Sequence, residues 1–194
     1  MANASFSLGG VTTEVDLDAA YTNLMEASSA FMNLTVAVGF VMGVIMMFRG
    51  IAMYRAFGQH ITQMSRNGEL AGPAVYIVVG ACLIYLPSVI DASLMTAFNV
   101  TRTDISELTY TGASSGTVNW TQVVELINSY AKLIGLIAFV RGLYLISKSG
   151  DPGVQPGTIS RGLVHFVAGV LLINIGATYQ VIAVTFGLSV DGLA

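Results

Sequence analysis

The sequence predicts an all-α membrane protein: four transmembrane helices arranged as two parallel-repeat hairpins, with a short interfacial amphipathic helix after the first span. Three observations carry this expectation. Hydrophobic residues make up 54% of the 194 positions and charged residues only 10%, against about 25% charged in an average soluble domain. Four apolar stretches are long enough to cross a bilayer, for which about 20 residues are needed. The first two stretches also recur, in order, as the third and fourth.

Composition narrows the function classes. The mean hydropathy is +0.73, and so few charges cannot coat a soluble fold of this size. Disorder requires low hydrophobicity and high net charge, whereas the net charge is −3. Eight Lys and Arg residues in all are too few for a basic groove, so no direct nucleic-acid binding is expected. The single cysteine, Cys82, can form no disulfide framework.

The elements follow in order. Residues 1–26 read as a polar, acidic outer tail carrying Glu14, Asp16, Asp18 and Glu26. No Lys or Arg precedes Arg49, so this segment lacks the positive region of a secretory signal and is expected to be retained. The first hairpin spans 27–98, with apolar runs at 27–48 and 71–98. An outer loop occupies 99–121. The second hairpin spans 122–194, with runs at 122–147 and 162–189. Glu125, Lys132 and Arg141 interrupt the third run, which makes it the least apolar of the four.

Orientation follows from Lys and Arg. Arg49, Arg55 and Arg66 flank the first connection, and Arg141, Lys148 and Arg161 the second. Both connections are therefore expected in the cytoplasm of a bacterium, with both termini in the periplasm and the chain multi-pass in the inner membrane.

The internal match has two offsets. At 92 residues, Gly43 falls on Gly135, Ile45 on Ile137, and Arg49-Gly50 on Arg141-Gly142. At 89 residues, Val78 falls on Val167, Gly80 on Gly169, Leu83 on Leu172, Ile84 on Ile173 and Thr96 on Thr185. A unit with an even number of spans repeats in the same orientation, unlike the inverted repeats of many transporters. Arg49, Arg55 and Arg141 are expected at the inner interface, where long side chains snorkel to water. Ile51, Tyr54, Phe57, Ile61 and Met64 then form an apolar stripe at helical spacing, read as a helix lying in the interface. The second connection is rich in Gly and Pro and reads as a tight loop.

Candidate functional residues are few. Gly39, Gly43, Gly80, Gly135, Gly162, Gly169 and Gly176 are placed on helix-packing faces, because in lipid close backbone approach substitutes for the hydrophobic drive. Glu125, Asn128 or Ser129, and Lys132 form an outer polar stripe. Asp91, near the outer end of the second span, reads as interfacial or helix-packing, with a bend expected at Pro87 one turn earlier. Its counterparts in the fourth span are Gly176 and Gln180, so a bend or polar spot recurs there. His60 and His165 have no ligand partners at suitable spacing. No catalytic motif, metal site or cofactor site is expected.

The segments FRGIAMYRAF and FVRGLYLISK after the odd-numbered spans, and GDPGVQPGTISRG before the fourth, resemble the IcmC/DotE family of type IVB (Dot/Icm) secretion systems and its conjugation relatives. The likeness extends over most of the chain. It implies a non-enzymatic inner-membrane subunit of a protein-translocating complex. Membrane lipid, other subunits and further copies of the chain would be its partners. A small ion or solute transporter is the alternative, motivated by Asp91, Glu125 and Lys132.

Overall fold

The computed structural model describes residues 3–8, 11–59, 71–99, 120–151 and 153–187. Among these are six helices: α1 Leu17–Gln59, α2 Ala71–Ile84, α3 Leu86–Phe98, α4 Trp120–Lys148, α5 Thr158–Ile173 and α6 Ile175–Thr185. Two short strands, β1 Asn3–Leu8 and β2 Val11–Asp16, pair antiparallel ahead of α1, from Asn3 opposite Asp16 to Leu8 opposite Val11.

Two of the helices, α1 and α4, are long and apolar enough to cross a membrane, over Ala19–Ala56 and Gln122–Lys148. The number rises to four if α2–α3 and α5–α6 each count as one bent span. The chain is accordingly a helical membrane-associated protein. Many large apolar side chains point outward, among them Phe31, Phe40, Phe48, Val78, Leu163 and Val184. In water that exposure would be costly; against hydrocarbon it is the expected state.

Three expectations are revised. First, α1 begins at Leu17, ten residues before the expected start of the span, and β1 and β2 occupy part of the expected tail. Second, α1 runs unbroken through Arg49-Gly50 to Gln59, so residues 51–59 continue the first span instead of starting a separate interfacial helix. That stretch holds no proline, and Gly50 just before it packs against Pro73 and Ile77 of α2. Third, the runs expected as the second and fourth spans are each broken in two. α2 and α3 meet at 92°, and α5 and α6 at 95°. At 14 and 13 residues, α2 and α3 are each only about 20 Å long, short of the roughly 30 Å hydrocarbon core. His60, Ile61, Met64, Arg66 and most of the expected outer loop lie outside the described residues.

The two bends have different chemistry. Pro87 sits at the second position of α3, with Tyr85 between the two helices, and has no N–H to bond the preceding turn, so α2 ends three residues earlier, at Ile84. The second bend, at Asn174, holds no proline. There the Asn174 side chain accepts a bond from the Ala177 N–H at 3.2 Å, capping α6. Thr178 Oγ1 donates to the Leu171 carbonyl at 2.7 Å and lies 2.8 Å from the Asn174 carbonyl. These bonds satisfy backbone groups that a break would otherwise strand in an apolar medium.

The core lies where α1, α2, α3, α4 and α5 converge. Leu83, Leu86, Leu94 and Phe139 are fully enclosed, and the rings of Phe139 and Phe166 stack at 4.6 Å.

Candidate functional site

The densest organisation in the molecule is backbone-to-backbone packing at glycine. A Cβ at Gly43 would lie 2.8 Å from the Gly80 carbonyl oxygen, and one at Gly80 would lie 2.9 Å from that of Gly43. Further along α1, a Cβ at Gly50 would meet Pro73 O at 3.1 Å and Ile77 N at 3.2 Å. The second helix pair repeats these contacts. A Cβ at Gly135 would lie 3.0 Å from Gly169 O, and one at Gly142 would meet Gly162 O at 2.9 Å and Phe166 N at 2.5 Å. Each contact in α4–α5 thus falls 92 residues on from its counterpart in α1 and 89 on from its counterpart in α2. Only glycine permits such approach, and the gain is dispersion between main chains over several turns.

The sequence-derived packing residues divide accordingly. Gly43, Gly80, Gly135, Gly162 and Gly169 lie in these two seams. Gly39 is apart from them, where a Cβ would meet Leu86 Cδ2 of α3 at 3.1 Å and Val140 Cγ2 of α4, in the other half, at 3.8 Å. Gly176 stands at the second position of α6, the counterpart of Pro87 at the other bend. Gly50 and Gly142, matched in the sequence as part of Arg-Gly pairs, join the seams.

Polar contacts hold the two halves at both ends. Toward the start of α1, Tyr21 donates to Glu125 at 2.8 Å, and the hydroxyls of Ser28 and Ser129 lie 3.0 Å apart. At the opposite end, Arg49 forms an ion pair with Asp151 at 3.0 Å and lies 5.1 Å over the Tyr76 ring. The main chains of Gly72 and Gly150 abut beside it. These contacts run in the same order along α1 and α4, so the two helices are parallel.

Lys132 lies within electrostatic reach of Glu125. Asn128 and Lys132 are half-buried on α4, and Asp91 is half-buried on α3. Arg55 and Arg141 are exposed. His165 Nδ1 lies 2.8 Å from the Arg161 carbonyl, a local contact. Among the described residues no group of three His, Cys, Asp or Glu side chains could hold a metal ion.

A groove of about 530 Å³ opens between α3 and α5, lined by Ser88, Val89, Ala92, Ser93, Thr96 and Ala97 on one side and Phe166, Val167, Val170 and Leu171 on the other. Ser93 and Thr96 turn their hydroxyls back to carbonyls of their own helix at 2.7 Å, so the groove presents an apolar wall.

Sequence reasoning missed Asp151, Tyr21, Asn174 and Thr178. Asp151 stands 102 positions from Arg49, and no spacing rule relates them. Asn174 and Thr178 carried a usable signal, since Asn174 lies 89 positions from Tyr85, beside Pro87.

Fold and site together define a helical membrane-associated protein held by glycine seams. No family model, curated protein or solved structure matches the chain.

Proposed function

We propose that the chain is a duplicated two-helix hairpin in parallel repeat. On this reading it serves as a non-enzymatic structural or channel-forming subunit of a type IVB (Dot/Icm-like) secretion or conjugation apparatus. It lies in the bacterial inner membrane, with both termini periplasmic and the connections at Arg49–Arg66 and Lys148–Arg161 cytoplasmic. The observation that carries the duplication is the recurrence of both glycine contacts at constant offsets, together with bends at Tyr85 and Asn174, 89 residues apart. The parallel course of α1 and α4 agrees with it. The secretion assignment rests on the resemblance of the Arg-Gly segments and the GDPGVQPGTISRG connection. A molecule whose organised features are packing seams suits an assembly role better than a chemical one.

Deletion of the coding sequence should abolish protein or plasmid export, and crosslinking in native membranes should recover other subunits of the machine. Intact export from the deletion strain removes the proposal. The transporter alternative draws on half-buried Asp91 and Lys132 in apolar helices, where ionisable residues are costly and usually functional. Neutralising Asp91, Glu125 and Lys132 together would leave every flux in proteoliposomes unchanged if packing is their role.

A further inference from the structure

The two halves treat the arginine of their Arg-Gly pairs differently. In the first half, Arg49 lies over the Tyr76 ring at 5.1 Å and pairs with Asp151 at 3.0 Å. Gly72, one turn from Tyr76 on α2, lets the main chain of Gly150 abut it there. The second connection thus supplies Arg49 with a carboxylate. The repeat offsets put Arg141, His165 and Arg161 at the positions of Arg49, Tyr76 and Gly72. The second half therefore keeps its arginine and adds another where the first half has glycine. Among the described residues Arg49–Asp151 is the only ion pair, so neither Arg141 nor Arg161 is given an acid there.

Helix packing puts these three residues on one side of the α4–α5 seam. Gly135 meets Gly169 and Gly142 meets Gly162, so α4 and α5 run antiparallel. When two antiparallel right-handed helices face each other at glycine, the residue before each glycine leaves the seam on the same side. Arg141 and Arg161 are those residues, and both are exposed. His165 stands one turn from Arg161 on the same face. Its Nδ1 donates to the Arg161 carbonyl at 2.8 Å, which leaves Nε2 for another partner. About two turns beyond Arg141 on the same side of α4, Lys148 lies 5.2 Å over the Tyr144 ring. In the other direction, below Arg141, Ile137 and Ile134 are 49% and 57% exposed. A group of cations thus stands at the head of an open apolar strip.

We infer that Arg141, Arg161 and His165 hold the headgroup phosphate of an anionic phospholipid. The phosphate takes the place beside Arg141 that the Asp151 carboxylate takes beside Arg49. Guanidinium forks match the paired oxygens of a phosphate, and basic pockets between membrane helices on the cytoplasmic side bind anionic headgroups. Snorkelling accounts for one exposed arginine at a helix end. It does not account for two, from different helices, converging where the other half of the molecule needs a carboxylate. A carboxylate on a protein partner would meet the same charges, but the apolar strip along Ile137 and Ile134 favours a lipid, which carries both a phosphate and an acyl chain. This inference rests on the duplication reading but not on the identity of the secretion machine.

The test uses full-length protein in mild detergent, with bound lipid counted by native mass spectrometry as dioleoyl phosphatidylglycerol is titrated in. The chain should retain phosphatidylglycerol in preference to phosphatidylcholine with the same acyl chains. Arg141→Gln with Arg161→Gln should weaken that retention about tenfold, the effect of losing one or two hydrogen bonds to a charged group. Arg161→Gln alone, which serves if the double variant does not fold, should weaken it several-fold. Arg55→Gln, a change at an exposed cation away from the seam, should leave it as it is. An equal loss from Arg55→Gln overturns the site in favour of diffuse attraction between positive charge and an anionic surface. Inorganic phosphate that competes as strongly as the lipid overturns the choice of a lipid. Unchanged retention in the arginine variants overturns the inference, and loss of crosslinked subunits alongside it assigns the pair to an acidic protein partner. Placement is read separately, in a Cys82→Ser chain carrying Arg141→Cys and His165→Cys. A short thiol-specific reagent should crosslink the two within one chain. Failure of that crosslink overturns the repeat register and the inference together, whereas a crosslink with unaltered lipid retention in the arginine variants removes the inference alone.

Discussion

Gly43 and Gly80 approach so closely across α1 and α2 that neither can carry a side chain: a Cβ on either would sit within 2.9 Å of the other's carbonyl oxygen. Gly135 and Gly169 stand in the same relation across α4 and α5, with 3.0 and 2.8 Å. The obstructing atoms are main chain, so relief requires moving a whole helix.

Gly169→Leu should therefore separate α4 from α5 and abolish assembly without blocking insertion. Even Gly169→Ala should destabilise by about 1–3 kcal/mol, the usual cost of overpacking. Unfolding in detergent, with membrane extraction as the insertion control, measures it. Normal complex recovery from the Leu variant refutes the packing claim.

The Arg49–Asp151 pair should matter little for stability. The Arg49 side chain is 55% exposed, and exposed ion pairs contribute roughly 0–1 kcal/mol. Asp151→Asn should shift the unfolding midpoint only slightly, with high salt erasing the difference. A loss several-fold larger would mean that the pair is shielded, as by a neighbouring subunit.

Ser28 is 1% exposed and lies 3.0 Å from Ser129 between α1 and α4. Ser28→Leu should push the two halves apart at a cost of about 1–3 kcal/mol, while Ser28→Ala should cost about 1 kcal/mol for the lost hydrogen bond. Thermal unfolding of the two variants gives the order; equal midpoints would contradict the close contact.

The two bends should respond to different substitutions. Asn174→Ala removes the cap on α6 and should cost about 1 kcal/mol, and Thr178→Val strands the Leu171 carbonyl. Pro87→Ala restores an N–H donor and should let α2 and α3 straighten, whereas Gly176→Ala restores none and should leave the α5–α6 angle near its present value. Spin-label distances across each bend distinguish the cases. An unchanged α2–α3 distance in Pro87→Ala would show that packing, and not proline, sets that angle.

Helix positions were largely legible because membrane helices announce themselves by length and apolarity alone. The recurrence of glycines was legible too, since Gly43, Gly80, Gly135 and Gly169 keep constant offsets. The right-angle breaks were not. Pro87 marks a bend but not its size, and Gly176 and Gln180 suggest a bend or polar spot without fixing a 95° turn at Asn174. The stripe from Ile51 to Met64 suggests a separate surface helix, yet a hydrophobic pattern does not say where a helix begins, and α1 continues unbroken to Gln59. Asp151 and Tyr21 were invisible as partners because contacts over a hundred positions leave no local trace.

The amino-acid sequence by itself determined that this chain lives against lipid, where its apolar helices lie, and which of their positions must be small. Those properties depend on composition and on the short-range geometry of a helix. Tertiary structure alone decided which glycines face each other, how sharply α2 turns into α3 and α5 into α6, and which distant polar groups join the two halves. Those outcomes depend on the fit of main-chain surfaces brought together from distant parts of the chain.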